Sequence, residues 1–383
     1  MAEGFGVGQN EGRWVLDTSQ GGPMSPLVWG ALEAVGAAGW SDPRSITAEG
    51  RRAGQLLAAA RASIAAALSA PAQSLVVTTG AAAALTDALI GLVRQQIRLG
   101  NSPVLIVSAI DHSAVLRVAR WWTRQGGAVE TIGADFQGHI NTEALIAAAT
   151  AHPRAVVAVQ WANPEVGTVQ PIETLGTALA ETGARVLLDA TAALGRIVLP
   201  ETDGFAVVAA DALSWGGPRG VAAFGIRDAD AWQAPDPQVA DESPVALTVA
   251  AASSLEMALA SMAQYDQSAR TQTARVRSEC SRNISDLDIP GDPHHRLPHV
   301  LTLSALYLDG ESLVQRLDAH GLALGSGSAC TNDSGEPSHV LAAMGALTGG
   351  NLRLSLPPAL PDEPIDRLIE ILPGIIEELR APL

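Results

Sequence analysis

Val186-Leu187-Leu188-Asp189-Ala190-Thr191 sets three large aliphatic side chains directly before an aspartate and two small residues. Such a run has no polar face, so a strand here must be covered on both sides, as in a parallel sheet between helix layers. Similar runs recur at 74–79, 104–108, 128–132, 155–160, 207–209 and 221–226. Helical patterns separate them at 51–68, 81–99, 113–125, 142–151 and 173–182. Strands spaced by helix-length segments predict an α/β fold with a mostly parallel sheet. Residues 229–244, rich in Asp, Ala and Pro, read as a surface loop, and a long helical pattern follows at 245–285. Beyond it, strand patterns at 300–306 and 351–356 and helices at 312–320 and 365–380 predict a second unit. The expected organisation is a large domain over residues 1–250 and a smaller α+β domain over 251–383.

Composition narrows the function. A formal net charge of −16 argues against a nucleic-acid surface, which needs a basic stripe. No apolar run reaches the roughly 18 residues of a bilayer span. The glycine-rich, polar start lacks a signal-peptide pattern. A cytoplasmic protein with no membrane contact is expected. The two cysteines, Cys280 and Cys330, are too few for a disulfide framework, and neither lies in a metal-ligand spacing, so no metal site is expected. The basic residues hold the sharpest anomaly. All 24 are arginines, where about twenty lysines would be average for this length.

The strongest local signal is Gly325-Ser326-Gly327-Ser328-Ala329-Cys330-Thr331, followed by Glu336-Pro337-Ser338-His339-Val340-Leu341. Small residues around a cysteine describe an accessible loop whose thiol can enter and leave a site. The plainer reading of a lone cysteine is a small buried hydrophobe.

These motifs together resemble the persulfide-forming loop of the cysteine desulfurases, in the class V aminotransferase superfamily. The resemblance runs across most of the chain. Ala48-Glu49-Gly50-Arg51-Arg52-Ala53 and Leu308-Asp309-Gly310-Glu311-Ser312-Leu313 are similar to family segments. Ile110-Asp111-His112-Ser113-Ala114-Val115 resembles the segment whose histidine stacks on the ring of pyridoxal phosphate (PLP). Asn163-Pro164-Glu165-Val166-Gly167 resembles the segment whose asparagine lies near the cofactor's ring oxygen. Leu188-Asp189-Ala190-Thr191 resembles the strand end whose aspartate pairs with the pyridine nitrogen, and Arg353 matches the arginine that binds the substrate carboxylate. Thr79-Gly80 begins the segment matching the phosphate-binding turn. The resemblance implies the PLP-dependent fold type I and a dimer. Each residue also has a structural reading: His112 a strand-end or helix-start residue, Asn163 a turn, Asp189 a helix cap, Arg353 an ion-pair partner.

Departures from the family pattern fall on the PLP anchors. The family's D-L-x-S-x-S-x-H-K-x-x-G-P-K-G stretch corresponds to Asp211-Ala212-Leu213-Ser214-Trp215-Gly216-Gly217-Pro218-Arg219-Gly220, about five residues shorter. The serine, histidine and Schiff-base lysine are missing from the middle. Ala82 replaces a threonine of the phosphate turn, Ala192 replaces a glutamine, and Asp241-Glu242 stand near where the family carries Gly-Thr. Arginine is no substitute for the lysine, because its guanidinium stays protonated and is a poor nucleophile. The expectation is a pseudoenzyme holding no cofactor, with PLP as the ancestral one. Cys330 would act as a sulfur relay to an acceptor protein, in a homodimer or beside an active desulfurase. The alternatives are an active PLP enzyme with an altered site, and a purely structural partner of an active homologue.

Overall fold

The computed structural model describes residues 12–201, 203–234, 243–326 and 337–381. A short strand β1 (Trp14–Val15) precedes α1 (Pro26–Ala38), which starts on a Ser25 cap with proline in its first turn. Helix α2 (Ala48–Ala67) starts on Thr47, whose hydroxyl accepts the Gly50 amide. Strands and helices then alternate: β2 (Leu75–Thr78), α3 (Ala81–Arg98), β3 (Leu105–Ser108), α4 (Ser113–Arg124), β4 (Val129–Ile132), α5 (Thr142–Ala151), β5 (Val156–Gln160), α6 (Ile172–Ala180), β6 (Arg185–Asp189), β7 (Val207–Asp211) and β8 (Ala222–Ile226). Strands β2 to β8 form one seven-stranded sheet in the order β2-β8-β7-β6-β5-β3-β4. Only β8 runs against its neighbours, so the sheet is mostly parallel.

The run at 186–191 shows why this sheet is buried on both faces. Val186 and Leu188 join one apolar cluster with Ile106, Val157 and Val208, while Leu187 joins the opposite one with Leu105, Val107, Val156 and Val207. Strand alternation sends successive side chains to opposite faces, and helices cover both.

Helix α7 (Val245–Asn283) packs on α1 and α2. It leads to β9 (Leu287–Asp288), β10 (Val300–Ala305), α8 (Gly310–Ala319), β11 (Leu322–Ala323), α9 (His339–Met344), β12 (Asn351–Ser355) and α10 (Glu363–Arg380), the last of which also packs on α7. A second sheet, antiparallel in the order β12-β10-β9, holds Leu301, Leu303, Leu352 and Leu354 against Ile365 and Leu368 of α10. Strand β1 pairs in parallel with β11, which returns the N-terminal segment to this second layer.

The structure adds elements that the sequence reading did not give, α1, α9 and the short strands β1, β9 and β11. Helix α1 escapes periodicity because Gly30 and Gly36 interrupt it and its Leu27 and Trp29 are exposed. The expectation of no span-length apolar run also needs correction. Part of α7 is long and apolar enough, by length and composition, to cross a bilayer. Its hydropathy comes largely from alanines, among them Ala250, Ala251 and Ala252, which are buried in the fold.

Gly204 lies where the chain enters β7, and a Cβ built there would lie 1.9 Å from the backbone oxygen of Gly176 in α6. Backbone on backbone cannot yield by rotamer change. Gly204→Ala is expected to destabilise the fold by about 1–3 kcal/mol, read as a lowered midpoint in denaturant. A midpoint equal to the parent's would show that α6 does not depend on this close approach.

Candidate functional site

The parallel strands deliver their C-terminal ends to one edge of the large sheet, where open α/β folds gather ligands. A cavity of about 640 Å³ opens there, lined by the turn from Thr79 to Ala83, by His112, Asn163, Thr191 and Asp211, and by Arg353 from the second sheet. Thr79, Gly80, His112, Asn163 and Arg353, separated by up to 274 residues (353 − 79), thus meet around one space. Asp189 ends β6 just before Thr191 and Ala192, which line the same space. Cys330 lies outside the described residues.

Local chemistry explains each placement. His112 caps α4, its Nδ1 accepting the Ala114 amide at 3.1 Å. Burial lowers its pKa, opposed by the charge of Asp189, so the ring is neutral and its Nε2 carries the proton. Asn163 donates from Nδ2 to the Ile110 carbonyl and to Gln160 Oε1, while its Oδ1 accepts the amides of Glu165 and Val166. Both of its amide hydrogens are therefore engaged inside the protein. Asp189 accepts the Thr191 amide and hydroxyl on Oδ1, but its Oδ2 is buried with no hydrogen-bond partner. An orphaned buried carboxylate oxygen is costly.

Two of the chain's own carboxylates occupy places where ligand anions would be expected. Asp17, just after β1, takes Arg353 Nε and Nη2 on its Oδ2 at 3.2 and 2.9 Å. Both side chains are buried, and Ser19 Oγ accepts a further bond from Arg353 Nη2 at 2.6 Å. The arginine matched to the substrate carboxylate is thus already in a buried ion pair, as its structural reading allowed. Asp211, ending β7, accepts the Ala81 amide on Oδ2 at 2.6 Å and the Leu213 amide on Oδ1 at 2.9 Å. It fills one of the donors at the start of α3. The amides of Ala82 and Ala83 line the cavity and have no partner among the described residues, so the positive end of this helix still offers two donors to an anion.

The family model for class V aminotransferases matches residues 37–368. The chain belongs to this family. It is 31% identical to cysteine desulfurase IscS 1 of Archaeoglobus fulgidus over 352 residues, covering 89% of this chain and 91% of that protein. It is likewise 31% identical to a cysteine desulfurase of Cereibacter sphaeroides over 391 residues, covering 96% and 97%. A solved NifS-like protein superposes with a TM-score of 0.85 at 20% identity, covering 96% of this chain and all of the other, which places the fold among the PLP-dependent type I proteins.

Membership among the cysteine desulfurases, a PLP-dependent group, overturns the expectation that the chain holds no cofactor. The residues present fit the group at both ends. Asp189 Oδ2 is an unpaired acceptor for a pyridine N–H, and the Ala82 and Ala83 amides are unpaired donors for a phosphate. Reading the missing lysine as loss of the whole site confuses the covalent anchor with the cradle, which the sheet edge still builds.

Sequence reasoning missed Asp17, which lies 336 residues from the arginine it pairs with, and the role of Asp211 in capping α3. It also missed how many buried acids surround the cavity. Asp111 accepts the Ser108 amide on Oδ2 at 2.7 Å, yet burial pushes its carboxyl up to about 8. Burial likewise raises Glu165 and Asp211. An acid whose pKa is higher folded than unfolded binds its proton more tightly when folded. Its contribution to stability is full below the unfolded value of about 4 and is lost as pH rises toward about 8. Asp111 therefore works against the melting temperature as pH rises from about 5 to 8, opposite in sign to the buried neutral His112 and His299, and Asp111→Asn should shift the slope of melting temperature against pH upward. An unchanged slope in the variant would show that Asp111 does not titrate in this window.

Proposed function

We propose that this is a cysteine desulfurase-like protein that binds PLP by noncovalent contacts alone and does not, by itself, release sulfur from cysteine. The observation that carries the reading is a ligand-sized cavity at the sheet edge in a chain without a single lysine. Asp189 would hold the ring nitrogen, His112 would face the ring, and the amides at the start of α3 would take the phosphate. When bound, the group supplies an electron sink for carbanion chemistry. His112, neutral through burial and protonated on Nε2, is suited to hold and donate a proton there. The chain has no lysine to form the covalent link, and a second copy of the chain lacks one too.

Cys330 is the candidate sulfur carrier in this reading. Cys280 is not, since it is 1% exposed and burial pushes its thiol up to about 12, where no thiolate forms near neutrality. A partner subunit is part of the proposal, either a second copy or an active desulfurase. Its support is the set of exposed apolar residues Leu27, Trp29, Trp40 and Ile46 on and after α1.

The test is to purify the protein with excess PLP, record its absorbance, treat it with borohydride and denature it. Bound PLP that leaves entirely on denaturation, with no alanine formed from L-cysteine, is the expected result. A borohydride-fixed adduct, robust alanine production by the isolated protein, or failure to retain any PLP would each refute the reading. Given an active donor and labelled cysteine, Cys330→Ser should lose the label while Cys280→Ser keeps it.

A further inference from the structure

Arg196 follows β6 on the turn through Gly195 and forms part of the wall of the main cavity. It also lines a smaller cavity of about 70 Å³ with Tyr265, Trp215 and Pro357. The residue is 3% exposed. Its Nε has no hydrogen-bond partner, and among the described residues no carboxylate pairs with its guanidinium. Among the described residues the Tyr265 ring stacks on it, with its centroid 4.5 Å from the guanidinium carbon. His299 sits beside that ring, with centroids 5.8 Å apart. Its imidazole is neutral, held far below its ordinary pKa by burial and by Arg196 and Arg296, and its Nδ1 is also unpartnered.

Burying a guanidinium is costly, and it cannot escape by losing its proton. An aromatic face offsets part of that cost, but it leaves the N–H donors unmatched. The donors border the cavity where a ligand enters. The other arginine expected to meet a ligand carboxylate, Arg353, is held by Asp17 and Ser19. The α3 amides form a separate place for a phosphate, and a planar fork suits a carboxylate.

We propose that Arg196, backed by His299 and Tyr265, receives the carboxylate of an amino-acid ligand in the main cavity, in place of Arg353. This rests on the cavity being the ligand site of a cysteine desulfurase-like protein, and it assigns that ligand's anionic end. Arg196 sets which ligands enter: amino acids are taken, and the same amines without a carboxylate are rejected.

The experiment titrates L-cysteine and cysteamine, which differ by the carboxylate, into the full chain by calorimetry, with inorganic phosphate as a second anion. The parent protein, Arg196→Met, Arg196→Lys and Arg353→Met are compared. The parent is expected to bind L-cysteine and not cysteamine. Arg196→Met should weaken L-cysteine binding about 10-fold to 100-fold, the worth of a charge-assisted pair, and Arg196→Lys should fall between. The unliganded melting temperature of Arg196→Met should hold or rise, because a buried unpaired charge is removed. A merely structural arginine would instead lower it. Should Arg196→Met fail to fold, the lysine variant decides, and parent-like affinity there overturns the assignment. Equal affinity in the parent and Arg196→Met, equal binding of cysteamine, or loss that follows Arg353→Met alone overturns it. So does phosphate binding that depends on Arg196 while L-cysteine binding does not. A parent that retains PLP but binds no L-cysteine sinks this assignment and leaves the cofactor reading standing, whereas loss of PLP retention strikes the cofactor reading directly.

Discussion

The edge of a parallel sheet must satisfy its polar groups without the partner strands that serve them elsewhere. Each strand of the large sheet that ends at the cavity leaves backbone and side-chain polar atoms in a space shielded from bulk water. Here the solution is a ring of short side chains that cap the helices and turns leaving the strand ends. His112 caps α4, Asp211 holds the start of α3 and its own adjoining turn, and Asp189 holds Thr191. The cavity is the space these caps frame, so its shape is set by the sheet's topology before any ligand is considered.

That arrangement concentrates acid. Asp111, Glu165 and Asp211 are all buried near the cavity with raised pKa values, and Asp189 Oδ2 is left unpaired. Burial of the Arg353–Asp17 pair ties the N-terminal segment to β12, and removing either partner of such a pair typically costs about 3–5 kcal/mol. A ligand carboxylate that claimed Arg353 would have to displace Asp17 and meet that cost. Electrostatically, the easier course for an incoming anion is a cation that has no internal acid, and Arg196 meets that description among the described residues.

Much of the fold was legible in the sequence, because doubly buried strands have no polar alternation to blur them. Leu187 and Leu188 face opposite clusters, and that is why the run reads as continuous hydrophobe. The gathering of Thr79, His112, Asn163 and Arg353 around one space was legible from the order of their motifs. Long-range pairings stayed hidden. Nothing near Asp17 signals Arg353, nothing near Arg196 signals Tyr265, and both contacts exist only once the second sheet packs beside the first. Asn163 shows the reverse limit. Its motif points to a ligand contact, yet its side-chain amide is saturated by Ile110, Gln160, Glu165 and Val166.

The absent lysine changes the demands on the cradle. In a covalent site the link supplies affinity, and the pocket needs only to orient the cofactor. With no lysine on the chain, each remaining contact contributes directly to binding. Hydrogen bonds to charged groups, at about 1.5–3 kcal/mol each, must offset the loss of freedom on association. Asp189, the amides of Ala82 and Ala83, and the ring of His112 form a short set for that purpose. Arg219, whose charge lowers the pKa of Asp211, also lines the cavity. As the basic residue kept from the shortened segment, it is positioned to temper the acid at the start of α3. Protonating Asp211, which burial favours, removes a negative charge beside the open amides of Ala82 and Ala83. Ligand affinity and the protonation of the cavity's acids are thereby linked, so an anion should bind more tightly as pH falls, for as long as the anion itself stays charged.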